Sequence, residues 1–246
     1  VVESASPPDL RRAPTGLPGC GPTRAVDAGG GLWVLVADAP LAAYGEAAVD
    51  RGLKDLEWVS LRAVAHQDVV AHALRLGAVL PMKLLTLFRD DGRVRAHVAR
   101  RRPALRRLMA RVRGRREWGV RISVDAEAAG RSVRRGSAAA GRGATRGTAY
   151  LLRKTREQSL ARDLLGGARA AAARAFRDLE RHAADARKRP PAGEGLVLDA
   201  AFLVAEEEVR PFEQAARRLE RTLRAQGLRV VLTGPWPAYN FVGDAA

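Results

Sequence analysis

The residues that could act as nucleophiles, bases or metal ligands are few in this chain and poorly spaced for chemistry. There is one cysteine, Cys20, so neither an intrachain disulfide nor a cysteine-based metal cage can form within it. The histidines are His66, His72, His97 and His182. No two stand at i,i+4 spacing on one helix, and none joins carboxylates in a ligand pattern. No Gly-x-Ser-x-Gly nucleophile elbow occurs. The Gly29-Gly30-Gly31 triplet is followed by a strand pattern and lacks the Gly-Lys-Ser/Thr of a phosphate loop. Glu206, Glu207 and Glu208 precede a helical pattern, where the helix dipole favours negative charge without any catalytic or metal role. The expectation is therefore a non-enzyme with no catalytic residue, no cofactor and no metal.

Chemistry of another kind, recognition by large side chains, concentrates near the C-terminus. Residues 232–242 hold Gly234, Pro235, Trp236, Pro237, Tyr239 and Phe241. Gly and Pro fix an extended turn, and aromatics bury large areas at low entropy cost. Two readings stay open: a strap that closes the fold, and an anchor for a partner.

Charge is the second recognition signal. The 246 residues carry a net charge of +16. From Gly92 to Arg116 there are eleven Arg and no acid, and from Ala128 to Arg156 eight Lys/Arg and no acid. The remainder is close to neutral. Such segments fit a nucleic acid or another polyanion; a solvated helix face plus an Arg-rich loop is the plainer reading. No apolar run approaches the length of a membrane span, and no basic start followed by an apolar stretch indicates a signal peptide. A soluble protein of a reducing compartment is expected.

The elements that position these residues follow from periodicity. Residues 1–31, rich in Pro and Gly, read as a disordered tail. Strands are predicted at 32–36, 58–61, 78–88 (with Pro81 at an edge or bulge) and 117–124. Helices are predicted at 40–51, 66–76 and 91–113, the last interrupted at Pro103. Without its extra helix this is a ferredoxin-like order, placing a first domain at 32–125. A flexible Gly/Arg-rich loop is predicted at 126–146. Residues 147–246 read as a smaller, helical α+β domain. It comprises a long helix over 148–188 kinked at Gly166-Gly167, a strand at 196–204, a helix to Gln226 and a strand at 228–233. Val209, Phe212, Ala216, Leu219 and Leu223 repeat at 3 and 4, a seam for the long helix. The fold class is α+β.

Four segments together carry a family resemblance. Val79-Leu80-Pro81-Met82-Lys83 with Thr86 and Phe88 resembles the Leu-Pro-(Leu/Met)-(Arg/Lys)-Phe-Gly-Thr-x-Phe motif of the GvpL/GvpF gas vesicle proteins. Glu117-Trp118-Gly119-Val120-Arg121 resembles that family's Glu-Trp-Gly-Val-Lys strand. The stretch Gly147-Thr148-Ala149-Tyr150-Leu151-Leu152-Arg153-Lys154 resembles its Gly-x-x-Tyr-Leu-x-x-Lys helix start. Thr233-Gly234-Pro235-Trp236-Pro237, Tyr239 and Phe241-Val242 resemble its closing motif. The four occur in the family's order, from about Leu32 to Val242. The chain departs from it at Leu84-Leu85, which replace Phe-Gly, and in its longer tail and 126–146 loop.

The resemblance implies a ferredoxin-like N-terminal domain, a helical α+β C-terminal domain and no catalytic residues. It implies a role in building gas vesicles, as an assembly factor or minor shell-associated protein located in the cytoplasm during assembly and at the vesicle. The implied partners are the small apolar shell protein GvpA and other accessory proteins. Pro81, Lys83, Trp118, Tyr150, Trp236, Tyr239 and Phe241 are the candidate partner-binding or motif residues. The alternative, a nucleic-acid-binding module on a ferredoxin-like sheet, needs exposed strand aromatics, for which Trp118 is the candidate.

Overall fold

A computed structural model of the protein describes residues 1–125, 127, 130 and 146–243. The loop expected at 126–146 falls almost wholly outside them. The chain divides into two compact units. One is Val1–Arg116 with the segment from Trp236 onward, the other Glu117–Pro235.

The first unit opens with β1 (Val2–Glu3), β2 (Arg24–Asp27) and β3 (Leu32–Val36). They form an antiparallel sheet in the order β1-β3-β2, with Val2 opposite Trp33 and Val26 opposite Val34. Residues 1–31 are thus part of the fold and not a disordered tail. Val2, Val26 and Ala28 are buried, and the intervening loop is tied by Thr23 Oγ1 donating to the Pro14 carbonyl (2.8 Å) and Tyr44 Oη to that of Pro18 (2.7 Å). Pro and Gly mark tight turns here. The triplet Gly29-Gly30-Gly31, all at positive φ, turns β2 into β3.

Helices α1 (Leu41–Tyr44), α2 (Glu46–Gly52) and α3 (Leu56–Leu74) follow. The strand predicted at 58–61 is helical. Asp55 caps α3 by accepting from the backbone N–H of Glu57 and Trp58, and the Arg62 guanidinium stacks 3.7 Å above the Trp58 ring one turn earlier. The apolar run Trp-Val-Ser-Leu has strand-like composition, but no turn residue separates it from the helix that follows. The strand predicted at 78–88 reduces to a single bridge between Val2 and Val79. Helix α4 (Asp91–Val112) runs unbroken through Pro103, which is exposed, so the predicted interruption does not occur.

The second unit contains β4 (Arg115–Val124), α5 (Arg146–Glu180), β5 (Asp185–Arg189) and β6 (Leu196–Ala205). A 3-10 turn (Glu206–Glu208), α6 (Val209–Ala225) and β7 (Leu228–Trp236) complete it. The sheet order is β5-β6-β4-β7. This β-α-β-β-α-β order is the ferredoxin-like one. It lies between β4 and β7, not at 32–125 where the sequence pattern places it, and the units part at Arg116 rather than at residue 125. The α+β class itself holds. Helix α5 stops at Glu180, and residues 185–188, predicted as its end, belong to the edge strand β5, paired antiparallel with β6. Asp-Ala-Arg-Lys-Arg has no apolar alternation, because an edge strand guarded by charge needs none. The helix continues through Gly166-Gly167.

The core of this unit joins both helices to the sheet. Ala168, Ala171, Ala172, Ala175 and Phe176 of α5 pack with Phe212 and Leu223 of α6 over Val120, Ile122, Phe202 and Val204. Small alanines let α5 approach closely, and the predicted α5–α6 seam forms. From Trp236 the chain rejoins the first unit, ending in the short helix α7 (Tyr239–Val242).

Candidate functional site

In the first unit β3, α3 and α4 enclose a cleft of about 390 Å³. Val34 and Val36 of β3 form one wall. Val69, Val70 and Ala73 of α3 and Val94 of α4 form the sides, and residues 79–91 pass across it. The family-like segment therefore lines a cleft instead of forming a strand. Leu80 and Pro81 are buried, while Lys83 and Leu87 lie exposed at the rim, as does Leu41. Leu41 is 85% exposed and Leu87 49%, so the cleft opens to solvent between large apolar side chains.

The shape of this segment rests on a turn. Thr86 donates both its hydroxyl (2.7 Å) and its backbone N–H (3.1 Å) to the Lys83 carbonyl. The turn holds Leu85 at φ 63°, the one non-glycine residue at positive φ among those described. That is the position where the motif resembled above carries Gly. The backbone keeps the glycine conformation although the glycine is gone.

Polar groups gather at two places in the cleft. Arg24 makes a bidentate pair with Asp91 (2.8 and 2.9 Å) and reaches Asp38 at 2.9 Å; these bonds hold the Asp91 carboxyl below its ordinary pKa. His66 faces the segment across the cleft. Desolvation lowers its pKa, partly opposed by a hydrogen bond between its ring and the Met82 backbone. Burial pushes the Cys20 thiol pKa up. Among the described residues no group of His, Cys, Asp and Glu could hold a metal ion. No helix among them is long and apolar enough to cross a membrane.

The other candidate residues are placed as follows. Trp118 is buried, 6.0 Å from Phe212 in the core of the second unit. It presents no face to a base, which removes the aromatic that the nucleic-acid reading relies on. Tyr150 is exposed on the N-terminal part of α5. Tyr239 packs beside Val2, Val70, Ala73 and Val79 and donates its hydroxyl to Gln67 Oε1 at 2.6 Å. Phe241 is fully buried, whereas Trp236 is 41% exposed. Tyr239 thus ties the C-terminal segment to the first unit, and Phe241 is buried where Trp236 is not.

Two features escape a reading by sequence alone. The Glu-Trp-Gly and Thr-Gly-Pro motifs lie on neighbouring strands, β4 and β7. Gly119 faces Thr233, where a Cβ would come within 2.6 Å of its hydroxyl, and a Cβ on Gly234 would meet the Glu117 carbonyl at 2.9 Å. The second feature is the use of Arg on α4. Arg95, Arg102 and Arg106 donate to the carbonyls of Asp27, Ala28 and Gly30. Part of the basic segment therefore caps the glycine turn. The spacing 95-102-106 against a Gly triplet is the only signal for this in the sequence.

Comparison with known proteins agrees with the fold and the motifs. A family model described as "Gas vesicle synthesis protein GvpL/GvpF" matches residues 1–243. Gas vesicle protein L of Streptomyces sp. (strain CB03234) is 30% identical over 223 residues, covering 88% of this chain and 82% of that protein. The crystal structure of gas vesicle protein GvpF from Anabaena sp. PCC7120 superposes with a TM-score of 0.70 at 18% identity, covering 96% of this chain and 94% of the other. That of GvpF from Microcystis aeruginosa gives 0.60 at 16% identity, covering 94% and 96%. With the motifs, the two-unit α+β fold and the match along nearly its whole length, this chain belongs to the GvpL/GvpF family of gas vesicle synthesis proteins.

Proposed function

We propose that the protein is a non-catalytic assembly factor or minor shell-associated component of gas vesicles. It binds an apolar segment of the shell protein GvpA in the cleft of its first unit. The supporting observation is the joining of the family-motif segment 79–88 to an apolar cleft whose rim carries exposed Leu41 and Leu87. Exposed large apolar residues around a concavity mark a protein-binding surface. A very apolar shell subunit must be shielded before it polymerises, and a cleft that takes its side chains shields it transiently. Release follows when shell–shell contacts bury more area than the cleft offers.

On this reading the protein works in the cytoplasm during assembly and at the growing vesicle, alongside other accessory proteins. Co-purification with the shell protein tests it. The protein should retain the shell protein, and a variant with the cleft filled should not. Absence of binding, together with normal vesicles in a deletion strain, overturns the proposal.

A further inference from the structure

Two exposed helix stripes of the first unit are complementary to each other. On α3, Glu57, Leu61, Val64 and Asp68 follow at spacings of 4, 3 and 4, so they fall on one face. All four are exposed, Leu61 at 56% and Val64 at 62%. No base lies on this stripe. On α4, Arg93, Ala96, Arg100, Pro103, Arg107 and Ala110 follow at alternating spacings of 3 and 4, and all six are exposed. No acid lies on α4 beyond its first turn. Arg93, Arg100 and Arg107 make no side-chain ion pair among the described residues, unlike the arginines that cap the glycine turn.

The stripes match in shape and in charge. One presents two large apolar side chains flanked by carboxylates. The other alternates small residues, which leave grooves, with guanidinium groups. Seams of spacing 3 and 4 pack helix against helix at a shallow angle. At ~1.5 Å per residue, Glu57 and Asp68 stand about 16 Å apart and Arg93 and Arg107 about 21 Å apart. The difference of about 2 Å at each end lies within the reach of an arginine side chain, whose stem also covers apolar surface. Arginine suits such a contact better than lysine because it binds carboxylates through two parallel donors.

We propose that the protein associates with itself head to tail, the α3 stripe of one copy seated on the α4 stripe of the next. The contact is heterologous, so a pair of copies keeps one free stripe of each kind and the association runs on into chains unless it closes into a ring. It is salt-sensitive, because its specificity is carried by surface charge.

Sedimentation velocity across micromolar concentrations, at low and at high salt, tests this. The average mass should rise with concentration at low salt and fall back at high salt. Leu61→Lys/Val64→Lys breaks one stripe, and Arg100→Glu/Arg107→Glu breaks the other. All four positions are exposed, and an unchanged far-UV spectrum and melting temperature show that each variant is folded. Each variant alone should stay monomeric, and a mixture of the two should form a one-to-one dimer that grows no further. A wild-type protein that remains monomeric at low salt overturns the proposal. So do variants that associate as well as wild type, or a mixture that fails to pair.

Discussion

Leu85 carries the sharpest residue-level consequence. Its φ of 63° lies in the left-handed region, which costs a residue with a Cβ about 1–2 kcal/mol. Glycine there removes that cost but adds about 0.5–1 kcal/mol of chain entropy in the unfolded state. Leu85→Gly should therefore stabilise the protein by about 0.5–1 kcal/mol, read as a higher urea midpoint at unchanged slope. A lower midpoint would mean that the contacts of Leu85 in the cleft outweigh its backbone strain. The position was legible in the sequence as a departure from the family motif. Its conformation was not, because a single chain gives no sign of which residues a turn holds at positive φ.

At the scale of elements, β4 and β7 explain why two separate motifs belong together. Gly119 leaves room for Thr233, and a Cβ there would stand 2.6 Å from the threonine hydroxyl. Gly119→Val should overpack this contact and cost about 1–3 kcal/mol, and Thr233→Gly in the same chain should recover part of it. A double-mutant cycle on chemical denaturation reads the coupling. If the two changes simply add, the strands do not meet as described.

The same scale shows what sequence pattern can and cannot give. Residues 117–124 and 209–226 were legible because an apolar face repeats at 2 or at 3 and 4 residues, and 196–204 because a short apolar run reads as a buried strand. Residues 58–61 were not, since Trp, Val and Leu fit a strand or a buried helix equally well and Asp55 as a cap decides the matter. Strand β5 was hidden because its partner β6 supplies the order that its own charged residues do not. The cleft was invisible for a related reason. Its walls come from β3, α3, α4 and residues 79–91, which only the fold brings together.

For the whole molecule, the return of the chain to its first unit is the feature that ties its two ends to one body. Phe241 is 1% exposed and Trp236 41%, so the phenylalanine is the better buried of the two. Phe241→Ala should cost about 3–5 kcal/mol, the range for a large aromatic lost from a core. That is a large part of the ~5–15 kcal/mol that holds a domain folded. Trp236→Ala should cost clearly less. Thermal melts of the two variants separate these outcomes, and a reversed order would place the anchor at Trp236 instead.

The cleft proposed to hold an apolar segment of the shell protein is lined by residues 79–91. Val69 lines that cleft from α3 and is only half-buried, so Val69→Phe fills open space without displacing packed neighbours. The direct measurement is the affinity of purified shell protein for wild type and for Val69→Phe, with the melting temperature of each recorded. Wild type should bind, and the variant should keep its melting temperature and bind at least roughly tenfold more weakly, equivalent to about 1.4 kcal/mol. Equal affinity for both proteins, at equal stability, would place the shell-protein contact outside this cleft.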